Sequence, residues 1–291
     1  MKNKRGFLST SVVYSFFVVF LALLLFIVNG FINNRTLRNN MEDKIKEDIS
    51  DMTFARYLIN HSEELGLIQH SSRLESGAKD NSYRYVGENP NNYIMFNNEL
   101  YRIIGIIGGK VRIIKNSGVI TSPISDDDTN YYINTDIYNY LNTTFLSSLG
   151  SSSEMIATSK YYVAGLDSST KTDNIKTIYD NEVGINRQDA INVDVKIGLL
   201  YVSDYAFATD VTNYDKPVTG ENNWLNTRQN FWTISRLISS NNETFFIDSS
   251  GNINTGNVSS SMQIRPVFSL ISETKLVSGT GTQTDPYRIE V

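Results

Sequence analysis

Three hydrophobic periods follow one another along the chain. Residues 7–28, FLSTSVVYSFFVVFLALLLFIV, are free of charge and sit inside an uncharged run from Gly6 to Asn34. As a helix this segment rises roughly 33 Å, the thickness of a bilayer's hydrocarbon core, so the pattern predicts a single transmembrane helix over 7–28. A cleaved secretory signal fits less well: the apolar stretch is long and ends in Val28, Asn29, Gly30 and Phe31, without a small-residue cleavage site. The second period is helical. Leu37, Met41, Ile45, Ile49, Met52 and Ile59 recur at spacings of three, four or seven with charges between them, which predicts an amphipathic stalk helix over 29–70. Continuous with the span, residues 7 to about 60 would make a rod roughly 80 Å long. Residues 71–82, SSRLESGAKDNS, are polar and aperiodic and read as a linker.

From Tyr83 the period becomes that of short strands. Residues 92–115 read as three antiparallel strands with turns at Asn97-Asn98 and Gly108-Gly109. One helix follows, in which Ile137, Tyr140, Leu141, Phe145 and Leu149 share a face and Thr135 or Asp136 is the cap. Further strands are predicted over 161–164, 197–202, 231–234, 244–247, 263–270 and 287–290. A second short helix is expected at Ser203 or Asp204, carrying Tyr205 and Phe207. The fold class expected for 83–291 is therefore α+β: mostly antiparallel, with one or two helices and long loops.

Charge changes the picture at the amino end. Lys2, Lys4 and Arg5 form a basic leader (residues 1–6), which holds that end in the cytoplasm and the rest of the chain outside, although Arg35 and Arg38 weaken the bias. Subtracting the leader's +3 from the net −5 leaves −8 for the remainder, which argues against nucleic acid as the main partner. The chain has no Cys and two His, His61 and His70, both in the stalk or linker, where they are expected to be solvated. Cys-His nucleophiles, Ser-His-Asp triads and ordinary zinc sites are thereby excluded from the strand-rich part. No carboxylate pair stands out by spacing as acid and base. No enzyme activity, cofactor or metal is expected.

Two acidic segments invite a calcium reading. Asp126-Asp127-Asp128 lacks the alternating spacing and glycine turn of a tight site and reads as a solvated loop. Residues 248–256, DSSGNINTG, read as a hairpin turn. The two tryptophans are more informative. Trp232 sits in a strand-like run and is expected in the core. Trp224 either packs inside or, exposed beside Asn223, Asn226 and Arg228, stacks on a sugar face while the amides bond its hydroxyls.

Two segments resemble known families. KNKRGF before a long apolar helix resembles a type IV prepilin or pseudopilin leader. The resemblance implies cleavage by a prepilin peptidase between Gly6 and Phe7, and other pilin-like subunits as partners. Ser11 stands where that family usually has Glu, a departure that minor, tip-located pseudopilins share. Farther on, LLYVSDY (199–205), NFWTIS (230–235), TFFIDSSGNI (244–253), QIRPVFSL (263–270) and GTGTQTDPYRIE (279–290) occur in an order similar to a bacterial exported domain of unknown function. That domain is associated with the C-type-lectin-like and sulfatase-modifying-factor folds. The resemblance implies structural roles for Trp232, Arg265 and Pro266. The sulfatase-modifying activity depends on cysteines absent here, so it is not implied.

Together these readings lead us to expect a non-catalytic, single-pass cell-surface protein anchored in the lipid bilayer. A pilin-like helix would display an adhesion or recognition domain for a glycan or protein ligand. The alternative is a structural minor pseudopilin of a secretion or DNA-uptake filament without an external ligand.

Overall fold

The computed structural model describes residues 20–21, 52–70 and 81–291, apart from 185, 187, 211 and 213. The chain divides into two units, Met1–Asp51 and Met52–Val291. In the first, only Phe20 and Leu21 are described, both helical and exposed. Among the described residues no helix is long and apolar enough to cross a membrane, so the fold expected above, built on a membrane helix and stalk, is corrected to mostly antiparallel sheets with short helices. The remainder of 7–28, together with 29–51 and 71–80, lies outside the described residues.

The stalk expected to reach residue 70 is not what forms where it can be seen. Thr53 caps a new helix, α1 (Phe54–Asn60), by accepting from the Arg56 amide. α1 buries Phe54 and Leu58, spaced i, i+4, rather than the Met52 and Ile59 of the expected stripe. A one-turn α2 (Ser62–Leu65) ends at Gly66, whose φ of +71° only glycine adopts without strain. The chain then enters a strand, β1 (Leu67–Gln69). Residues 52–70 thus belong to the β-rich unit, which begins about thirty residues earlier than expected.

β2 (Tyr83–Tyr85), β3 (Tyr93–Phe96), β4 (Glu99–Ile107) and β5 (Lys110–Lys115) follow. The β3–β4 and β4–β5 turns fall at Asn97-Asn98 and Gly108-Gly109, all four with positive φ, as tight hairpins require. After β6 (Ile120–Ser122) the expected helix is present, capped by the Thr135 side chain, but in three pieces: α3 (Asp136–Asn139), a π-helical turn (Tyr140–Phe145) and α4 (Leu146–Ser148). Next come β7 (Ile156–Ala157), β8 (Ser159–Leu166), α5 (Ile175–Glu182), β9 (Gln188–Val195) and α6 (Val202–Phe207). The unit closes with β10 (Phe231–Leu237), β11 (Glu243–Ile247), β12 (Ile253–Asn257), β13 (Met262–Ile264), β14 (Val267–Leu270), β15 (Lys275–Ser278) and β16 (Arg288–Glu290).

Of two seven-stranded sheets, one runs β1-β2-β4-β5-β14-β7, with β3 sharing an edge of β4 with β2, and the other runs β12-β11-β10-β13-β6, with β8 and β9 attached through β10; β15 and β16 pair as a separate ribbon. Pairing is antiparallel except where β10 meets β13 and β8. The run 263–270, read as one strand, is two, and its halves lie in different sheets. The break falls at Arg265-Pro266, because proline offers no N–H to continue a ladder. The Pro266 carbonyl still accepts from the Lys115 amide. Of the expected strand 197–202, residues 197–201 form a crossing segment with one isolated bridge, Gly198 to Val267, and Val202 already opens α6. Ile197 and Leu199 to Val202 are buried in succession rather than at alternate positions.

The core is aromatic. Trp232, Phe231, Phe245, Phe268, Tyr101 and Tyr161 are all below 2 % exposed. It also encloses charge. Asp204 on α6 receives Arg84 of β2 at 3.1 Å and Arg112 of β5 at 3.2 Å. Glu182, at the end of α5, accepts from the Val202 and Ser203 amides that open α6, and from the Ser235 hydroxyl on β10. Burial raises the Glu182 carboxyl to about 7, against the lowering effect of the serine hydrogen bonds. These contacts tie α6 to elements of both sheets.

Candidate functional site

A cleft of about 550 Å³ opens between two loops, and Asn223, Trp224, Asn226 and Arg228 all line it, with Glu88, Arg102, Gly220, Glu221 and Asn222. Glu88 lies in the loop after β2, Arg102 on β4, and the others in the segment before β10.

That segment is braced from several sides. The Trp224 amide donates to the Gly87 carbonyl and its indole N–H to the Tyr85 carbonyl, both at 2.9 Å. Asn223 spans from the Tyr205 carbonyl to the Leu225 amide. Asn226 donates to the Gly220 and Ser250 carbonyls and accepts from the Arg228 amide. Gly220 and Gly251 let this loop and the β11–β12 hairpin touch backbone to backbone: a Cβ on Gly251 would stand 2.3 Å from the Gly220 Cα. Asn222 and Arg228 both take left-handed backbone, with φ of 51° and 58°.

The four sequence-chosen ligand residues therefore line one cleft, and of the two alternatives for Trp224 it is packing inside that is observed. Trp224 is only 5 % exposed and its ring stacks with the Arg102 guanidinium, 4.6 Å from ring centre to Cζ, so it is not an open platform for a sugar. The amides of Asn223 and Asn226 hold the loop together. The polar groups facing outward are those of Glu88, Glu221, Asn222 and Arg228, all exposed.

Beneath them lies a residue that sequence reasoning missed. Arg102 is 6 % exposed, its guanidinium set between Tyr93 at 4.3 Å and Trp224. Nε donates to Asn92 Oδ1 at 2.7 Å, Nη1 to the Trp224 carbonyl and Nη2 to the Pro90 carbonyl. Burial lowers it to about 10, so it remains a cation at neutral pH. Arg265 lies behind, 2 % exposed, donating to the Lys115 and Leu225 carbonyls with its Cζ 5.1 Å from the Phe231 ring. Burial, and then the charge of Arg102, lower it to about 9. The signal was present: an arginine inside LYRIIGII, a nearly continuous apolar run of the kind that makes a strand buried on both faces.

The other candidates fall elsewhere. Trp232 is fully buried and donates to the Ser122 carbonyl, while Arg265 and Pro266 sit buried at the sheet crossover. Gly6 and Phe7 lie outside the described residues. His70, expected in solvent, is 2 % exposed and packs 4.3 Å from Phe207 and 5.4 Å from Tyr214, because β1 draws its segment into the fold. His61 is half-buried on Tyr57. Asp126, Asp127 and Asp128 are exposed, and no metal-binding cluster of His, Cys, Asp or Glu occurs among the described residues. Asp248 closes the β11–β12 hairpin by accepting from the Ser250 and Asn252 amides. Comparison with known protein families, curated proteins and solved structures finds no match to this chain.

Proposed function

We propose that residues 52–291 form a non-catalytic recognition domain, displayed outside the cell, that binds a glycan or protein ligand in the cleft between the loop after β2 and residues 220–228. The observation carrying this reading is the cleft itself: about 550 Å³, within the size range of ligand sites, with charged and amide groups of both signs held on a braced loop. The interior carboxylates argue in the same direction. Two of them, Glu182 and Asp204, sit at 0 % and 2 % exposure, engaged by protein donors, and neither lines the cleft. Display outside the cell rests on the sequence alone, on the basic leader followed by the uncharged run.

The test is a binding screen of the full chain against a glycan array and a panel of surface proteins, beside a Glu221→Ala/Arg228→Ala variant. Both substituted side chains are exposed, so the variant is expected to keep its circular dichroism spectrum. We expect it to lose roughly tenfold or more in affinity for any ligand retained. A ligand held equally well by the variant, or no ligand at all, would refute the proposal.

A further inference from the structure

Arg84 and Arg112 are buried arginines, and the fold neutralises them with one shared carboxylate, Asp204. Arg102 is treated differently. Of its five N–H groups, three donate to an amide oxygen and two carbonyls, and no carboxylate lies within ion-pair distance of it among the described residues. A guanidinium held out of water without a counter-charge is costly, and here a second unneutralised cation, Arg265, adds to the positive field from behind. Arg84 and Arg112 are paired with an internal carboxylate, whereas Arg102, which lacks one, lines the cleft.

We infer, resting on the recognition reading above, that the ligand of this cleft is a carboxylated sugar of the uronic or sialic acid class, and that the edge of Arg102 binds its carboxylate. The Tyr93 and Trp224 rings stack on the guanidinium, so approach is along its plane. A planar carboxylate meets that edge through the two N–H groups left over. Around it, Glu88 and Glu221 present acceptors from two different loops, and Asn222 adds an amide. Acceptors of this kind take sugar hydroxyls and repel a second anion, which selects a ligand with one acid group and several hydroxyls over a polyphosphate or a polysulfated chain. A free amino acid carries one carboxylate but offers a single ammonium to acceptors spread over two loops.

The experiment is calorimetric titration of the full chain with glucuronic acid and N-acetylneuraminic acid, with their methyl esters, with glucose and N-acetylglucosamine, and with alanine. We expect the acids to bind roughly tenfold or more tightly than their esters. Arg102→Gln should erase that preference, and Arg102→Lys should restore part of it. If Arg102→Gln does not fold, the acid and ester comparison on the unaltered chain decides. Esters or neutral sugars binding as well as the acids would overturn the anion inference while leaving the recognition reading standing. So would alanine binding more tightly than either acid. Failure of every sugar, with a protein ligand retained in the broader screen, also overturns this inference alone. Silence from both screens removes the recognition reading with it.

Discussion

Replacing Glu182 with glutamine should flatten the pH dependence of folding. In the folded chain the Glu182 carboxyl is fully buried and titrates at about 7, whereas its ordinary value is 4.5. Between those values the native state keeps a proton that the unfolded chain releases, so rising pH favours unfolding. The contribution is fully present below about 4.5 and is lost as pH rises through about 7. Two and a half pKa units at 1.36 kcal/mol each amount to about 3 kcal/mol. Glutamine imitates the neutral acid. It leaves one of the two α6 amides, Val202 or Ser203, without its carboxylate acceptor, an offset that does not vary with pH. Urea denaturation of both proteins at intervals from pH 4.5 to 8.5, read by tryptophan fluorescence from Trp224 and Trp232, gives the difference in unfolding free energy at each pH. The parent should lose about 3 kcal/mol relative to Glu182→Gln across that interval. A difference constant to within about 0.5 kcal/mol would show that the carboxyl is not held neutral by burial, and would refute the reasoning.

Three further outcomes follow from close packing and buried charge. Gly105→Ala would place a Cβ 2.0 Å from the Tyr83 carbonyl oxygen; the β2–β4 pairing should be lost with more than about 2 kcal/mol of stability, read by denaturation and amide exchange over 83–85. Arg112→Met leaves Asp204 with Arg84 alone and should cost about 3–5 kcal/mol, while a double Arg112→Met/Asp204→Asn change should cost less than the sum of the single ones. Asn130 donates to the Leu237, Ser240 and Glu243 carbonyls around the β10–β11 turn. Asn130→Ala should cost about 1–3 kcal/mol and speed amide exchange in that turn before elsewhere.

The local grammar of the strands was legible because it depends on neighbours in sequence. Asn97-Asn98 and Gly108-Gly109 are turn formers wherever they occur, Thr135 caps its helix, and NFWTIS is apolar enough to be a buried strand. What escaped depends on distant partners. β9, QDAINVDV, does alternate Ile191, Val193 and Val195 with Asn192 and Asp194, but it is flanked by polar stretches, and its pairing with β8 is what marks it as a strand. The helical stripe through Met52 and Ile59 continued smoothly on paper, whereas Thr53 starts a separate helix and Gly66 ends the next one. In the cleft, the choice of Asn223, Trp224, Asn226 and Arg228 rested on residue type and named four residues that line one cleft. It could not tell an amide that holds its own loop from one that faces outward, since that depends on Gly220, Tyr205 and Ser250. Arg102 was passed over because a charged residue in an apolar strand was read only as part of the strand.

The crossover at Arg265-Pro266 has a consequence for the order in which the chain can acquire its structure. β14 lies between β5 and β7, and β13 lies between β10 and β6. Residues 262–270 thus supply an interior strand to each sheet, and they follow β5, β6, β7 and β10 in the sequence. During synthesis from the amino end, neither sheet is complete until this segment appears, and β5, β6, β7 and β10 each wait with an unpaired edge. Vectorial emergence therefore leaves both sheets incomplete until residues 262–270 are out, and their arrival closes the two together. A ribosome-bound fragment stopped before residue 262 should remain sensitive to protease along its whole β-rich length.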